Sequence, residues 1–314
     1  MLSRRLLRLK VIKALYAYVQ SHSDNPKSAR KNLAASIDKT YELFLYIATL
    51  GVEIARYAEE RQEIARNKKL PTYEDLHPNR KFVENEVLRR IADDEEINGF
   101  NEKHHLSWAN HPETIKNIYQ SLIESDLYKE YMANTERSFR EDLQFVTGFY
   151  SQLLEDNELL EETLEEESIM WSDDLGFALI LAVRMLSSMR ESHTAVKIPP
   201  KFKTEDDLQF ALDLFEKSVL QFERNRDFID KLAGNWDVER IAFMDIIIMS
   251  VALTEMKECP SIPVKVTLDE YIDISKYYST PNSSIFINGI LDKAVEQLTA
   301  TGEINKSGRG LIGS

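Results

Sequence analysis

Five basic side chains stand close together near the beginning of the chain, among apolar residues and tyrosines. They are Arg4, Arg5, Arg8, Lys10 and Lys13. Guanidinium groups make paired hydrogen bonds to phosphate oxygens, and aromatic rings such as that of Tyr16 stack on unpaired bases. The pattern is therefore typical of RNA binding. The alternative is an amphipathic helix whose polar face happens to be basic, and composition alone slightly favours that alternative.

Other reactive side chains fall into three groups. They are a histidine group, a lone cysteine and an acidic run: His104, His105, His111, Cys259 and Glu161–Glu167. Adjacent histidines point to different faces of a helix and nothing completes a ligand set, so we expect no metal site. The thiol has no basic neighbour closer than Lys257, which argues against a nucleophile. The acidic run is typical of a solvated helix face, or of a shield that repels nonspecific nucleic acid.

Enzyme motifs are absent from the sequence. It contains no GxxxxGK[ST] phosphate loop, no HExxH, no GxSxG and no pair of CxxC sequences, and each of these motifs has a defined chemical role. The Gly-Arg-Gly sequence at 308–310 lacks the preceding strand that a cofactor loop requires. We therefore expect neither catalysis nor a cofactor.

Composition predicts an all-α fold. The 314 residues include only 10 glycines and 9 prolines, too few for the turns of a sheet-rich protein or for the loops of a nucleotide fold. The net charge of −14 is concentrated between Glu141 and Val183, which hold acids and no base, so it does not exclude a local basic surface. The single cysteine predicts a reducing, cytoplasmic location, and no apolar run approaches the ~18 residues of a membrane span.

Apolar periodicity predicts helices along most of the chain. The first is indicated by the spacing of Leu6, Leu9, Ile12, Tyr16 and Val19, and the second is a long helix over Ala29–Asn67. Another covers about Asp173–Met189, and Pro199–Pro200 marks a linker. The helices predicted after this linker are Thr204–Phe222, Arg226–Ala233, Val238–Met256, Val264–Tyr278 and Ser283–Ala300.

Two separate stretches carry motifs that occur together in one family. Residues 4–16, RRLLRLKVIKALY, resemble the pattern RRxxRxxAxxALY. Residues 236–256 resemble a buried family helix, IPVKV at 262–266 resembles IPYKVA, and SIFINGILDK at 284–293 resembles KFVNGVLDK. The last motif is specific at this distance from IPVKV. Together the stretches resemble the NusB family of transcription antitermination factors.

The resemblance covers about residues 2–21 and 205–300. It implies a NusB-like helical bundle with an additional helical insertion that is not usual in the family. The domains expected on this basis are a basic N-terminal helix at 1–21, an insertion of unassigned role at 22–203, a C-terminal helical bundle at 204–300 and a flexible tail at 301–314.

The family binds boxA RNA together with the ribosomal protein NusE, within the RNA polymerase antitermination complex of ribosomal RNA operons. Its RNA-binding positions correspond here to Arg4, Arg5, Arg8, Asn282 and Phe286, and its partner-binding positions to Tyr16 and Asp245. The resemblance implies exposed arginines. Asp245 is equally consistent with a contact to NusE and with a helix N-cap. Ile285 replaces the lysine of the family signature, which leaves the details of RNA contact open.

Phe286 and Gly289 are three residues apart and therefore share one helix face. Glycine inside a helix costs ~1 kcal/mol relative to alanine, which a close helix–helix approach or a ligand against the backbone would explain. A ring beside a glycine predicts a shallow platform on which a base stacks. The alternative is that Phe286 belongs to the core.

Two other functions compete with RNA binding. One is a protein–protein scaffold that has lost specific RNA binding. The other is an RNA cytosine methyltransferase, since some of these enzymes carry a NusB-like domain, but the chain lacks their glycine-rich cofactor fold and catalytic cysteine. The resemblance leaves both a monomer and a homodimer open.

Overall fold

The computed structural model of the chain describes residues 1–22, 24–193, 195–234 and 241–307. These residues form α-helices joined by turns and loops, with two 3-10 helices and no strand among them, which confirms the all-α prediction. The α-helices are α1 (Arg4–Gln20), α2 (Pro26–Ala48), α3 (Leu50–Arg66), α4 (Tyr73–Leu76), α5 (Glu86–Ala92), α6 (Glu95–His104), α7 (Pro112–Glu124), α8 (Asp126–Ala133), α9 (Phe139–Gln152), α10 (Glu158–Glu167), α11 (Leu175–Ser188), α12 (Asp206–Ala233), α13 (Phe243–Glu258), α14 (Val264–Tyr278) and α15 (Ser283–Ala300).

The chain divides into two compact units. The insertion unit comprises Met1–Leu2 and Asp38–Lys201, and the terminal unit comprises Ser3–Ile37 and Phe202–Ser314. Helix α2 contributes residues to both. The stretch 22–37, which the sequence assigns to the insertion, therefore packs within the terminal unit.

The predicted bounds of α14 and α15 agree with the structure, but two other helices differ. The predicted helices Thr204–Phe222 and Arg226–Ala233 form one continuous helix, α12. Asn225 lies between them, and its amide donates to the Ser250 carbonyl and the Thr254 hydroxyl of α13 rather than to its own backbone. The predicted start of the next helix at Val238 and the tail residues 308–314 lie outside the described residues.

The single helix predicted over Ala29–Asn67 is wrong, because the chain breaks at Thr49 between α2 and α3. The buried Tyr150 of α9 stabilises this break. Its hydroxyl donates to the Ala48 carbonyl (2.9 Å) and accepts from the Gly51 N–H (3.1 Å). A side chain at Gly51 would meet Leu88 of α5 at 3.0 Å, so glycine also lets α3 and α5 pack closely.

Aromatic side chains fill much of the core of the insertion unit. The ring of Tyr46 on α2 stacks on Trp108 with 4.1 Å between centroids and on Trp171 with 5.7 Å. The Trp108 indole donates to the Tyr46 carbonyl and that of Trp171 to the Lys39 carbonyl. Each indole thus buries its apolar surface with its N–H satisfied.

Helix α13 is the centre of the terminal unit. Its residues from Asp245 to Met256 are all buried, as the predicted buried helix requires, and α1, α12, α14 and α15 pack around it. Residues 301–307 return to this bundle, where the Glu303 N–H donates to the Leu298 carbonyl and the Ser307 N–H to the Pro260 carbonyl.

No helix in the described part of the chain is both long enough and apolar enough to cross a membrane.

Tyr150→Phe tests the break between α2 and α3. Removing the hydroxyl leaves two buried backbone groups less satisfied, so we expect a loss of ~1–3 kcal/mol in the free energy of unfolding, measured by urea denaturation. The matched control is Tyr73→Phe, since Tyr73 is 76% exposed and its hydroxyl loss should be neutral. Equal stability of the two variants would contradict this account.

Candidate nucleic-acid interface

Arg8 is buried, and its predicted exposure is wrong. Its guanidinium donates through Nε and Nη2 to the two oxygens of Glu255 on α13, at 2.8 and 3.0 Å. The same carboxylate accepts from the Thr267 hydroxyl (2.8 Å) and the Tyr271 hydroxyl (3.0 Å) on α14. Burial, with the charge of Glu255, raises the pKa of Tyr271 well above its ordinary value. Arg8 therefore joins three helices and is not available to RNA.

Arg4 and Arg5 are exposed, with 43% and 45% of their side-chain surfaces open, but carboxylates hold both. Arg4 Nε lies 3.1 Å from Asp207, and its guanidinium is 5.0 Å from the ring centroid of Phe210. Arg5 Nε lies 2.9 Å from Glu270, and its Nη2 lies 3.0 Å from Asp273. The sequence did not reveal these acidic partners because they are more than 200 residues away.

Arg5 belongs to a charged row along α14. Hydrogen bonds from Lys276 and Arg5 hold the pKa of Asp273 below its usual value, so this carboxylate is charged at neutral pH. Tyr278 lies at the end of α14, and its ring centroid is 5.4 Å from the ammonium nitrogen of Lys13 on α1. Lys10, by contrast, is buried. The exposed Arg5 and the half-buried Lys13 thus both lie along α14, whereas Arg4 lies against α12.

Phe286 and Gly289 lie on the first half of α15, where Phe286 is half-buried and Gly289 is exposed. A Cβ atom at Gly289 would meet no described atom within 4 Å. Of the two explanations for this glycine, a close helix–helix approach is therefore wrong, and open space for a ligand remains. The half-buried state of Phe286 is intermediate between the platform and the core interpretations.

Exposed side chains surround the Phe286–Gly289 face. Asn282 is exposed in the turn before α15. Ile285, which replaces a family lysine, is 76% exposed, and Tyr277 at the end of α14 is 82% exposed. Tyr277 was not among the predicted site residues. Its only sequence signal is its position beside the predicted turn at Thr280.

Of the predicted partner residues, Asp245 lies in the first turn of α13 and Tyr16 lies on α1 beside that turn. The Tyr16 ring packs against Phe243, with 5.4 Å between centroids. Asp245 is buried and does not cap α13, whose N-cap is Ala242. Its carboxylate instead accepts hydrogen bonds from the hydroxyls of Ser279 and Ser283, so it holds the turn between α14 and α15.

Cys259 lies at the end of α13, and burial raises the pKa of its thiol to about 11. The thiol is therefore neutral at physiological pH, where a thiolate would be needed for attack. No group of three or more metal-ligating side chains occurs within the described ranges.

Comparison with known proteins identifies the family of the chain. The family model described as the NusB family matches residues 178–296. A protein from Salinibacter ruber, named transcription antitermination protein NusB, is 39% identical over 121 residues, which is 38% of this chain and 75% of that protein. The chain belongs to the NusB family.

Other relatives with the same name are similar over shorter or longer stretches. The NusB of Chloroherpeton thalassium is 43% identical over 30% of this chain and 46% of its own length, and that of Gloeobacter violaceus is 33% identical over 46% and 67%. A solved T. maritima NusB structure, 22% identical, covers 46% of this chain and 90% of its own, with a TM-score of 0.30. The low score means that this last likeness carries no argument.

The extent of the family match differs from the resemblance seen in the sequence. The match begins at residue 178, inside α11, so it includes part of the segment that the sequence assigned to the insertion. It contains Asp245, Asn282 and Phe286. The basic helix α1 lies before it.

Arg8→Met tests the structural role of the buried arginine. The substitution leaves Glu255 as a buried carboxylate without its cation, so we expect a loss of ~3–5 kcal/mol in the free energy of unfolding. Arg5→Met, which breaks the more exposed pairs with Glu270 and Asp273, should cost ~0–1 kcal/mol. Urea denaturation measures both variants. Similar losses for the two would show that Arg8 is not a structural centre.

Proposed function

We propose that the chain is a transcription antitermination protein that binds single-stranded, boxA-type RNA together with the ribosomal protein NusE. In this role it acts within the antitermination complex of RNA polymerase on ribosomal RNA operons. The observation that carries the proposal is its membership of the NusB family. The surface along α14, from Arg5 to Phe286, supplies the chemistry that such RNA requires.

Arg5 is the main phosphate-binding residue of the proposal. It is exposed, it already binds two anionic oxygens, and Glu270 and Asp273 hold its guanidinium in a forked geometry. A phosphate presents the same kind of oxygen pair. RNA binding is therefore an exchange in which the phosphate replaces a carboxylate. In the same way, Arg4 exchanges Asp207 for a phosphate. Arg8 instead stabilises the packing of α1 through its buried pair with Glu255.

The Phe286–Gly289 face is the base-binding part of the proposal. The half-exposed ring offers a stacking surface, and the missing side chain at Gly289 lets a sugar or base approach the helix backbone. Exposed Ile285 and Tyr277 extend this apolar area. Asn282 lies at its edge and offers an amide to a base or a phosphate.

NusE is proposed to contact the end of the bundle at which α13 begins. The half-buried rings of Tyr16 and Phe243 give this end an aromatic surface. Asp245 is a buried positioning residue, because its hydrogen bonds with Ser279 and Ser283 fix the turn that carries Asn282.

A scaffold that binds NusE without RNA is the second candidate. It is favoured by the carboxylates of Asp207, Glu270 and Asp273 beside Arg4 and Arg5, because they reduce the positive potential that attracts RNA. The deciding experiment is binding of a short boxA RNA to the full chain, with and without NusE, over a range of salt concentrations. Two phosphate contacts require a log–log slope of about −1.4 for a single strand. Recovery of NusE with no RNA affinity would support the scaffold.

Glu270→Gln combined with Asp273→Asn tests the exchange at Arg5. Removing the two competing charges frees the guanidinium, so we expect boxA RNA affinity to rise about three- to tenfold, in keeping with the ~0.2–1 kcal/mol of exposed pairs. The control is Glu161→Gln with Glu162→Gln, two exposed acids on α10 of the insertion unit, which removes the same net charge outside the proposed RNA surface. An equal rise in RNA affinity in both variants would show that the effect comes from the overall charge and not from Arg5.

Gly289→Ala tests the base-binding face. The new methyl group meets only open space, so we expect the helix to be stabilised by ~0.5–1 kcal/mol while RNA affinity falls. Gly99→Ala on α6 is the matched control, since a Cβ there also meets no described atom. It should stabilise the chain without changing RNA affinity. Unchanged RNA binding in Gly289→Ala would place the RNA elsewhere.

Phe286→Ala should weaken RNA binding by ~1–3 kcal/mol, the usual size of one stacking contact. Its loss of folding free energy should remain below the ~3–5 kcal/mol that deleting a fully buried phenylalanine costs. Fluorescence anisotropy with labelled RNA and urea denaturation measure the two quantities on the same variant. A large loss of stability with unchanged RNA affinity would make Phe286 a core residue.

A further inference from the structure

A cavity of the terminal unit lies away from the Arg5–Phe286 surface. It has a volume of about 390 Å³ and is bordered by the second half of α12, the end of α13 and the end of α15. Its residue Leu298 is twelve positions after Phe286 on α15, which corresponds to about 18 Å along the helix. The cavity is therefore separate from the proposed RNA surface.

Three cationic side chains line this cavity: Arg224, Lys231 and Lys257. Arg224 is paired with Glu303 at 2.8 Å. The half-buried Lys257 has no carboxylate within ion-pair distance among the described residues. Its ammonium group donates one hydrogen bond, to the Asn225 side-chain oxygen at 2.8 Å. An ammonium group has three donors, so two of them remain for a ligand.

The buried side chain of Asn225 fixes the position of the Lys257 ammonium group. Asn225 is almost fully buried, and its amide nitrogen donates to the Ser250 carbonyl (3.1 Å) and the Thr254 hydroxyl (3.0 Å). These bonds orient its oxygen toward Lys257. The lysine is thus held at the cavity wall by a rigid, satisfied polar group, as in a preorganised anion site.

Burial, followed by the nearby charge of Arg224, lowers the pKa of Lys257. The charges of Glu303, which also lines the cavity, and of Glu258 act in the opposite direction and offset this shift only in part. An anion bound beside it would supply the missing charge. The half-buried Phe228 ring lies on the same wall, and Asp227 is an exposed carboxylate at the cavity.

We propose that this cavity binds a nucleotide, with the phosphate on Lys257 and Lys231, the base against Phe228 and the ribose hydroxyls on Asp227. The volume lies in the range of small-molecule pockets, ~300–1,000 Å³. Phosphate needs the cations, a base needs the aromatic face, and ribose hydroxyls donate to a carboxylate. The nucleotide is either a free mononucleotide or one residue of an RNA chain. The site does not depend on the function proposed for the Arg5–Phe286 surface.

Titration calorimetry of the full chain with adenosine 5′-monophosphate tests the site. We expect measurable binding of the nucleotide, with adenosine and inorganic phosphate each at least about tenfold weaker, because each lacks one of the two main contacts. Lys257→Met should weaken nucleotide binding at least about tenfold, since it removes a charge-assisted contact. Phe228→Leu should weaken nucleotide binding but leave that of inorganic phosphate unchanged.

The matched control is Lys265→Met, which removes an exposed cation of α14 that does not line the cavity. It should bind the nucleotide normally. No nucleotide binding at millimolar concentration, equal binding by Lys257→Met and the original chain, or phosphate binding as tight as nucleotide binding would each overturn the proposal. Thermal melting of each variant verifies that it is folded.

A short oligoadenylate distinguishes the two sources of the nucleotide. Tighter binding than the mononucleotide, lost in Lys257→Met, identifies an RNA chain, whereas weaker binding identifies a free mononucleotide. Binding of boxA RNA at the Arg5–Phe286 surface should be unchanged in Lys257→Met at matched salt. The failure of one site is therefore visible separately from the failure of the other.

Discussion

The buried ion pair between Arg8 and Glu255 determines how three helices of the terminal unit meet. Burying two charges costs several kcal/mol per ion unless their hydrogen bonds are satisfied. Here Glu255 accepts two bonds from Arg8 and one each from Thr267 and Tyr271. The arrangement satisfies the carboxylate only when α1, α13 and α14 lie in one register. That register then places Arg5 beside Glu270 and Lys13 beside Tyr278.

A second buried carboxylate performs a related task at the other end of α13. Asp245 accepts hydroxyl bonds from Ser279 and Ser283, on the two sides of the α14–α15 turn. The two acids of the central helix therefore fix α14 near its middle and at its end. These two anchors hold α14 beside the exposed Arg5 and fix the turn that leads into the Phe286–Gly289 face. In this bundle, buried polar groups position the surface groups that the proposed function uses.

The insertion unit is held together by a different set of interactions. Its core depends on stacked aromatic rings around Tyr46 and on the Tyr150 hydroxyl at the break between α2 and α3. Most of its length lies before residue 178, where the family match begins. The family match therefore covers most of α11 and the part of the terminal unit that begins at Phe202. The acidic α10 belongs to the insertion unit, so the charge of the whole chain does not describe the terminal unit.

The sequence alone determined the helical class, the family and the bounds of α14 and α15, because periodicity, scarce glycine and the SIFINGILDK motif are local properties. It could not separate Arg8 from Arg4 and Arg5. All three share one basic pattern, and their burial depends on Glu255, Asp207 and Glu270, far away in the chain. The break at Thr49 was likewise decided by Tyr150, a residue about 100 positions later. The local pattern predicts a basic helix, whereas the residues that the tertiary structure brings against this helix decide which of its charges remain at the surface.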